Sequence, residues 1–451
     1  MFRVDRIIIF LYIASLACLL VSKTVMPFVD ELATVFLIML AIIDSAVNHR
    51  WRQYSGLWAL FGIMAFYCVY SVTLLHFNSV PYILLDALLE AKPFVAFFTF
   101  LAIAPVLTSR DKLILRISSL TVGCLSVLVL LCGMRLTKTI LGHPFVAGSL
   151  VFLGAISYWL SVSDDKGDLT LRDKMIILSL LCGGLLCTRS KYYGCFVLAV
   201  YFLFMYRPGV LRHLNIKHII TMAAVGVIVI AVTWNKISYY FITGASDTVD
   251  INLIDSMARA ALLFTTPLIL MDYFPFGSGL ASFASYPSSA NYSGLYSEYS
   301  LDKVWGLSPT MPDFITDLYF ASLAQVGIIG IALFIYFWIY VYRYLRFMIR
   351  LDAKRYHSYF SIGCLIICYI LIECIGGNTF VQPSGQVAMM LLGIICGQGK
   401  RLMHKADTAH GAPLENQDNS PHLPEKTLRH KIYCNLQLKA TRSISAATCA
   451  R

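Results

Sequence analysis

The sequence predicts an all-α, polytopic membrane protein, and three observations carry that expectation. Of its 451 residues, 58% are hydrophobic and 14% charged, against about 45–50% and about 25% in soluble domains. Twelve apolar runs approach the length needed to cross about 30 Å of hydrocarbon. Basic residues segregate to alternate connections, the pattern that cytoplasmic loops show. This composition excludes a disordered chain, a disulfide-stapled secreted module and an ordinary cytosolic enzyme.

The runs fall near 7–22, 28–46, 55–75, 93–108, 117–134, 145–162, 174–188, 192–206, 218–235, 314–342, 358–376 and 382–397. With Arg3 and Arg6 placed inside, the inner side collects 27 of the Lys and Arg residues and the outer side 9. Both termini are therefore expected in the cytoplasm. The net charge of +11 reads as this topological bias and not as a nucleic-acid footprint. The first run resembles a signal peptide, but no small-x-small cleavage site precedes a soluble domain, so it reads as the first span. The thirteen cysteines lie in apolar runs or in the tail, and none has the spacing of a metal site.

Four segments follow. Residues 1–236 hold transmembrane helices 1–9, 237–313 form one large outer loop, 314–397 hold helices 10–12, and 398–451 are a basic cytoplasmic tail. The tail has no sustained helical period and is expected to be disordered. Gly397-Gln398-Gly399-Lys400 departs from a phosphate loop, because Ile394 and Arg401 stand where Gly and Ser or Thr belong. No nucleotide site is visible, and no cofactor is expected.

Three features concentrate the chemistry. The loop of about 77 residues far exceeds ordinary connections. It carries an apolar stretch, 257–276, containing Arg259, Asp272 and the turn Pro275-Phe276-Gly277-Ser278-Gly279. Tyr239, Tyr240, Tyr273, Tyr286, Tyr292, Tyr296, Tyr299 and Trp305 surround it. Their flat rings suit sugar faces, and equally suit a membrane-interface belt. The stretch 252–274 is expected along the membrane surface.

The second feature is Thr188-Arg189-Ser190-Lys191, which divides the apolar run 175–206. Each half gives only about 21–22 Å of helix, which recesses the turn. Charges at such depth carry function by default, while the competing reading has Arg189 and Lys191 snorkelling to lipid phosphates. The third is Pro312-Asp313 followed by Asp317, read as the first turns of the tenth span. Asp317 is either a functional carboxylate or a helix-dipole partner. Arg135 and His143, in the outer segment 135–144, border the same layer.

Together these features resemble the Wzy-type O-antigen and exopolysaccharide polymerases, within the O-antigen ligase/polymerase superfamily. The resemblance covers the layout of about twelve spans with one large late loop, and its local motifs are loose. Thr188-Arg189-Ser190 matches a short Arg-Ser turn, and Arg259, Asp272, Pro275, Gly277 and Gly279 match the loop pattern. Thr316-Asp317 and Gly327-Ile328-Ile329-Gly330 match a further stretch, with Leu318 in place of Asn. The ligase branch uses a late-loop His, whereas no His lies between His218 and His357 here.

What the resemblance implies is a metal-independent glycosyltransferase of the bacterial inner membrane, its loop periplasmic. Its substrates would be oligosaccharides on undecaprenyl pyrophosphate, polymerised into exopolysaccharide, capsule or O-antigen. Arg189, Arg259 and Asp317 would be catalytic, the arginines stabilising departing pyrophosphate. Lys191, Arg135, Asp272 and Tyr273 would bind substrate. A chain-length regulator and a flippase would be its protein partners, with membrane lipid around it. The rivals are a lipid-linked oligosaccharide flippase or transporter and an O-antigen ligase. A flippase needs charges in several core helices. Asp44 reads as lying near an inner helix end, and Asp86 and Glu90 in an outer connection, which leaves the core nearly charge-free.

Overall fold

The computed structural model describes residues 4–21, 28–163, 169–206, 227 and 258–411. The first half comprises α1 (Val4–Cys18), α2 (Val29–Val47), α3 (Ser55–Tyr70), α4 (Val80–Ile103), α5 (Ser109–Leu131), α6 (Met134–Leu141), α7 (Pro144–Val162), α8 (Leu171–Gly184) and α9 (Ser190–Val200). After the gap come α10 (Ala258–Asp272), α11 (Tyr286–Ala290), α12 (Leu295–Glu298), α13 (Tyr319–Ser322), α14 (Gly327–Leu351), α15 (His357–Cys374) and α16 (Pro383–Gly411). Among the described residues no strand occurs. Five helical segments there are long and apolar enough to cross a membrane: Trp51–Leu75, Ser109–Leu131, Pro144–Val162, Tyr319–Leu351 and His357–Cys374. The chain is an all-α membrane protein.

Several helices begin or end away from the expected apolar runs, for local reasons. α5 starts at Ser109 because Thr108 and Asp111 form a reciprocal capping box, so the polar first turn is already helical. α16 continues to Gly411, so the start of the expected tail is helix. Its Gly393 and Gly397, four residues apart, meet Phe97, Phe100 and Ala104 of α4. Small residues on that face permit close helix approach, which explains the glycines near residue 397 without a phosphate. The expected run 218–235, loop residues 237–257 and the tail 412–451 lie outside the described residues.

The nearly charge-free core is overturned. Asp86, Glu90 and Lys92 all lie on α4, which starts thirteen residues before the expected run at 93. Lys92, 1% exposed, pairs with Asp30 of α2 and, at 3.1 Å, with Glu31. Gln386 of α16 donates to the Thr34 hydroxyl at 2.8 Å and to the Asp30 carbonyl at 3.2 Å. One polar knot thus ties α2, α4 and α16 together. Inside a bundle such charges persist only when paired and hydrogen-bonded.

The loop from Ala258 folds on a core of its own. Leu262, Ile269, Phe283, Leu295, Tyr296 and Leu307 pack with Ile315, Leu318, Ala321 and Ala324. That core runs past residue 313, the expected boundary, because α14 begins only at Gly327. Pro312 and Asp313 consequently lie in turns and start no helix. α10 is apolar on two faces: one enters this core, and the other exposes Leu263, Phe264, Leu268 and Met271.

The Gly-x-Gly turn is the clip that docks the loop on the bundle. Ser278 and Gly279 donate backbone N–H groups to the carbonyls of Ala324 and Gln325, at 3.2 and 2.9 Å. Tyr70 donates to the Gly277 carbonyl at 3.0 Å, and Tyr67 to that of Val326 at 2.6 Å. Asp86 accepts the Ala281 N–H at 2.6 Å. Gly277 has φ +82, and a Cβ there would sit 2.2 Å from the Ala324 carbonyl oxygen and 2.3 Å from the Gly327 nitrogen. Only glycine satisfies both the left-handed backbone and the contact. Gly277→Ala is therefore expected to destabilise the purified protein by more than about 1 kcal/mol, read as a lower thermal midpoint in detergent. Gly294→Ala, with nothing within 4 Å of its Cβ position, should stay within about 0.5 kcal/mol of wild type.

Candidate functional site

At the loop end of the bundle the helix termini bring charged residues from distant parts of the chain together. Arg259 projects from the first turn of α10, and Asp317 lies two residues before α13. Arg259 Nη2 donates to Asp317 Oδ2 at 2.6 Å, with the two side chains 26% and 25% exposed. The pair joins the loop helix to the entrance of the apolar helical segment Tyr319–Leu351. Asp317 is therefore not in the outer end of a span, as the sequence predicts, but in the turn that precedes it. A guanidinium carries its N–H donors in a planar fork that matches the oxygens of carboxylate and phosphate.

Tyr319 continues this cluster inward. Its hydroxyl donates to Glu90 Oε2 at 3.0 Å. Its ring meets that of Phe380 at 5.1 Å, between α15 and α16.

A second cluster forms where α7, α9 and α15 meet. Thr188 takes a left-handed conformation, φ 54, which ends the preceding turn and turns the chain into α9. Arg189 Nη2 then lies 3.2 Å from His143 Nε2, while His143 Nδ1 accepts the Phe145 N–H at 3.3 Å and caps α7. Arg189 donates to the ring in the tautomer that leaves Nε2 unprotonated. Lys191 Nζ reaches Glu373 Oε2 at 2.6 Å and the carbonyls of Glu373 and Gly376 at 3.2 and 3.0 Å. It caps the end of α15, the favourable place for a cation on a helix.

The remaining expected residues lie elsewhere. Asp272 and Tyr273 are at the far end of α10, about 20 Å of helix from Arg259 at 1.5 Å per residue. Asp272 accepts from Tyr299 at 2.7 Å, and Tyr273 donates to Glu298 at 3.1 Å. Burial, with the Glu298 carboxylate alongside, pushes the Tyr273 phenol up to about 12, so it stays a donor. These four side chains pin α10 to α12. Arg135 is exposed on α6.

The expected tyrosine platform resolves differently. Tyr296 is buried, and Tyr292 packs against it with ring centroids 5.1 Å apart and the planes tilted by 35°, and donates to the Leu307 carbonyl. Tyr286 and Trp305 remain open, 57% and 59% exposed. Tyr239 and Tyr240 lie outside the described residues. Sequence reasoning missed His143's pairing with Arg189 and Glu373's with Lys191, and set Glu90 in a connection. The four-residue step Asp86–Glu90 was the available signal, since it puts both carboxylates on one helical face.

Lys191 is positioned by the fold more than by any ligand, and its removal strands a buried carboxylate. Lys191→Met should cost about 3 kcal/mol, measured by thermal unfolding in detergent. The double substitution Lys191→Met with Glu373→Gln should recover most of that loss. No protein-family model matches this chain, and comparison with the curated proteins returns no significant match.

Proposed function

We propose that this protein is a polymerase of lipid-linked oligosaccharides, working at the periplasmic face of the bacterial inner membrane with its loop on that side. It transfers a growing glycan from undecaprenyl pyrophosphate to a hydroxyl of the next lipid-linked repeat unit, extending exopolysaccharide, capsule or O-antigen. The observation that carries this reading is the Arg259–Asp317 pair at 2.6 Å, formed by residues 58 positions apart. Asp317 holds the guanidinium in place, and its positive charge meets the charge that develops on the departing pyrophosphate. Arg189, set beside His143 at 3.2 Å, offers a second place for phosphate oxygens. The bond energy is already stored in the glycosyl pyrophosphate, so no nucleotide takes part. A chain-length regulator and a flippase would act beside it.

A specific observation favours a second reading. The buried Lys92–Asp30–Glu31 knot supplies the core charges that a lipid-linked oligosaccharide flippase or transporter needs. The two readings separate in proteoliposomes given lipid-linked repeat units extracted from source-cell membranes. Polymerase activity produces a ladder of lengthened lipid-linked glycans. Arg259→Ala should slow it by about 100-fold, the usual cost of one oxyanion-type donor. Protein-dependent movement of labelled lipid between leaflets without any ladder would replace the polymerase reading with the flippase.

A further inference from the structure

A groove of about 520 Å³ opens between α3, α4 and α14, within the range of ligand cavities. Ala59 and Ile63 of α3, Phe94 and Phe98 of α4, and Leu333 and Phe337 of α14 form its apolar walls. It follows α3 from Ser55 to Tyr67, about 18 Å at 1.5 Å per residue. Its one charged side chain, Glu90, lies at the loop end with Tyr319 and Gln325. Gln325 is committed to the loop, its Oε1 accepting the Ser282 N–H at 2.9 Å. Tyr319 holds Glu90 Oε2 at 3.0 Å. Glu90 itself is only half-buried, because it faces the groove. Among the described residues its second oxygen, Oε1, makes no hydrogen bond. A carboxylate oxygen left open at the head of a long apolar groove suits a ligand with a hydrocarbon chain and a polar end that brings a hydrogen-bond donor to it.

The position of this oxygen matters for the reaction. Tyr319 is two residues from Asp317, at most about 7 Å of chain, so Glu90 is tied to the segment that holds Arg259. Asp317 and Glu90 each have one oxygen bonded, and of the two Glu90 is the one that lines the groove.

We propose that the groove holds the hydrocarbon chain of the donor lipid, which puts the anomeric carbon bonded to its pyrophosphate at the loop end, and that Glu90 there accepts the proton of the attacking hydroxyl; the second half of this rests on the polymerase reading. The acceptor hydroxyl gives its proton to Glu90 Oε1 as its oxygen bonds the anomeric carbon of the donor glycan. The bond from that carbon to the lipid pyrophosphate breaks, and its electron pair leaves on the pyrophosphate, beside Arg259. Glu90 then returns the proton to water.

The test uses the full chain in proteoliposomes with two readouts. One is photo-crosslinking of polyprenyl pyrophosphate bearing a diazirine at the chain terminus. The other is ladder formation from extracted lipid-linked repeat units across pH. Ala59→Trp should abolish crosslinking and raise the KM for the lipid-linked repeat unit at least tenfold. Glu90→Gln should keep crosslinking and lower kcat by about 100-fold, whereas Glu90→Asp should recover part of the rate and move the acid limb of the pH profile. Unchanged crosslinking in Ala59→Trp overturns the groove assignment. Glu90→Gln that keeps its rate within threefold overturns the proton transfer alone. Wild type that crosslinks in the groove yet builds no ladder overturns the polymerase reading and Glu90's role with it, and leaves the lipid site standing.

Discussion

The Arg259–Asp317 contact exists because two backbone turns interlock. Residues 277–279 and 324–327 share hydrogen bonds, and each lies so close to the other that a side chain at Gly277 or Gly327 would collide with backbone. The interlock fixes where α14 begins and where the loop's core closes over α13. It therefore sets the distance between α10, which carries Arg259, and the turn that carries Asp317. Bundle residues reinforce it from below, through Tyr67, Tyr70, Ser71 and Asp86. A loop held by backbone and buried side chains from several helices is a rigid platform for chemistry, which suits electrostatic catalysis by fixed groups.

The charged residues divide by how deeply they sit. Lys92 and Glu373 are buried and locked, one to two carboxylates and the other to a lysine that also caps a helix. Such groups hold helices in register, and removing one partner alone leaves a stranded charge. Arg259 and Asp317 are about a quarter exposed, and Arg189 is likewise open on one side. Their donors can reach a ligand without losing the partner that aims them. Depth thus separates the groups that build the bundle from those able to meet a substrate.

Much of this was legible in the sequence, and the rest failed for physical reasons. Apolar runs marked the helices, and the isolated basic and acidic residues in and around them marked Arg189, Arg259 and Asp317 as unusual. Proximity in sequence misled at Asp272 and Tyr273: thirteen residues of helix carry them far from Arg259, into side-chain bonds with Tyr299 and Glu298. The Gly-x-Gly turn was read only as part of a loop pattern, and its first glycine serves a close backbone contact that the three-dimensional fold reveals. Lys92 and Glu90 were misplaced because a hydropathy run breaks at charges, whereas a helix does not once each charge finds a partner. The tyrosines gave no signal of their own, since the same residue serves a core, a belt or a sugar surface.

The central claim is that Arg259 and Asp317 act as one unit, the carboxylate aiming the guanidinium at the leaving group. An activity double-mutant cycle tests it most directly, with polymerisation rates for Arg259→Ala, Asp317→Ala and the double variant. Residues that work as a unit are strongly non-additive, so the double variant should be no slower than Arg259→Ala alone. Losses that multiply, each substitution adding its full cost to the other, would show two independent groups and contradict the account.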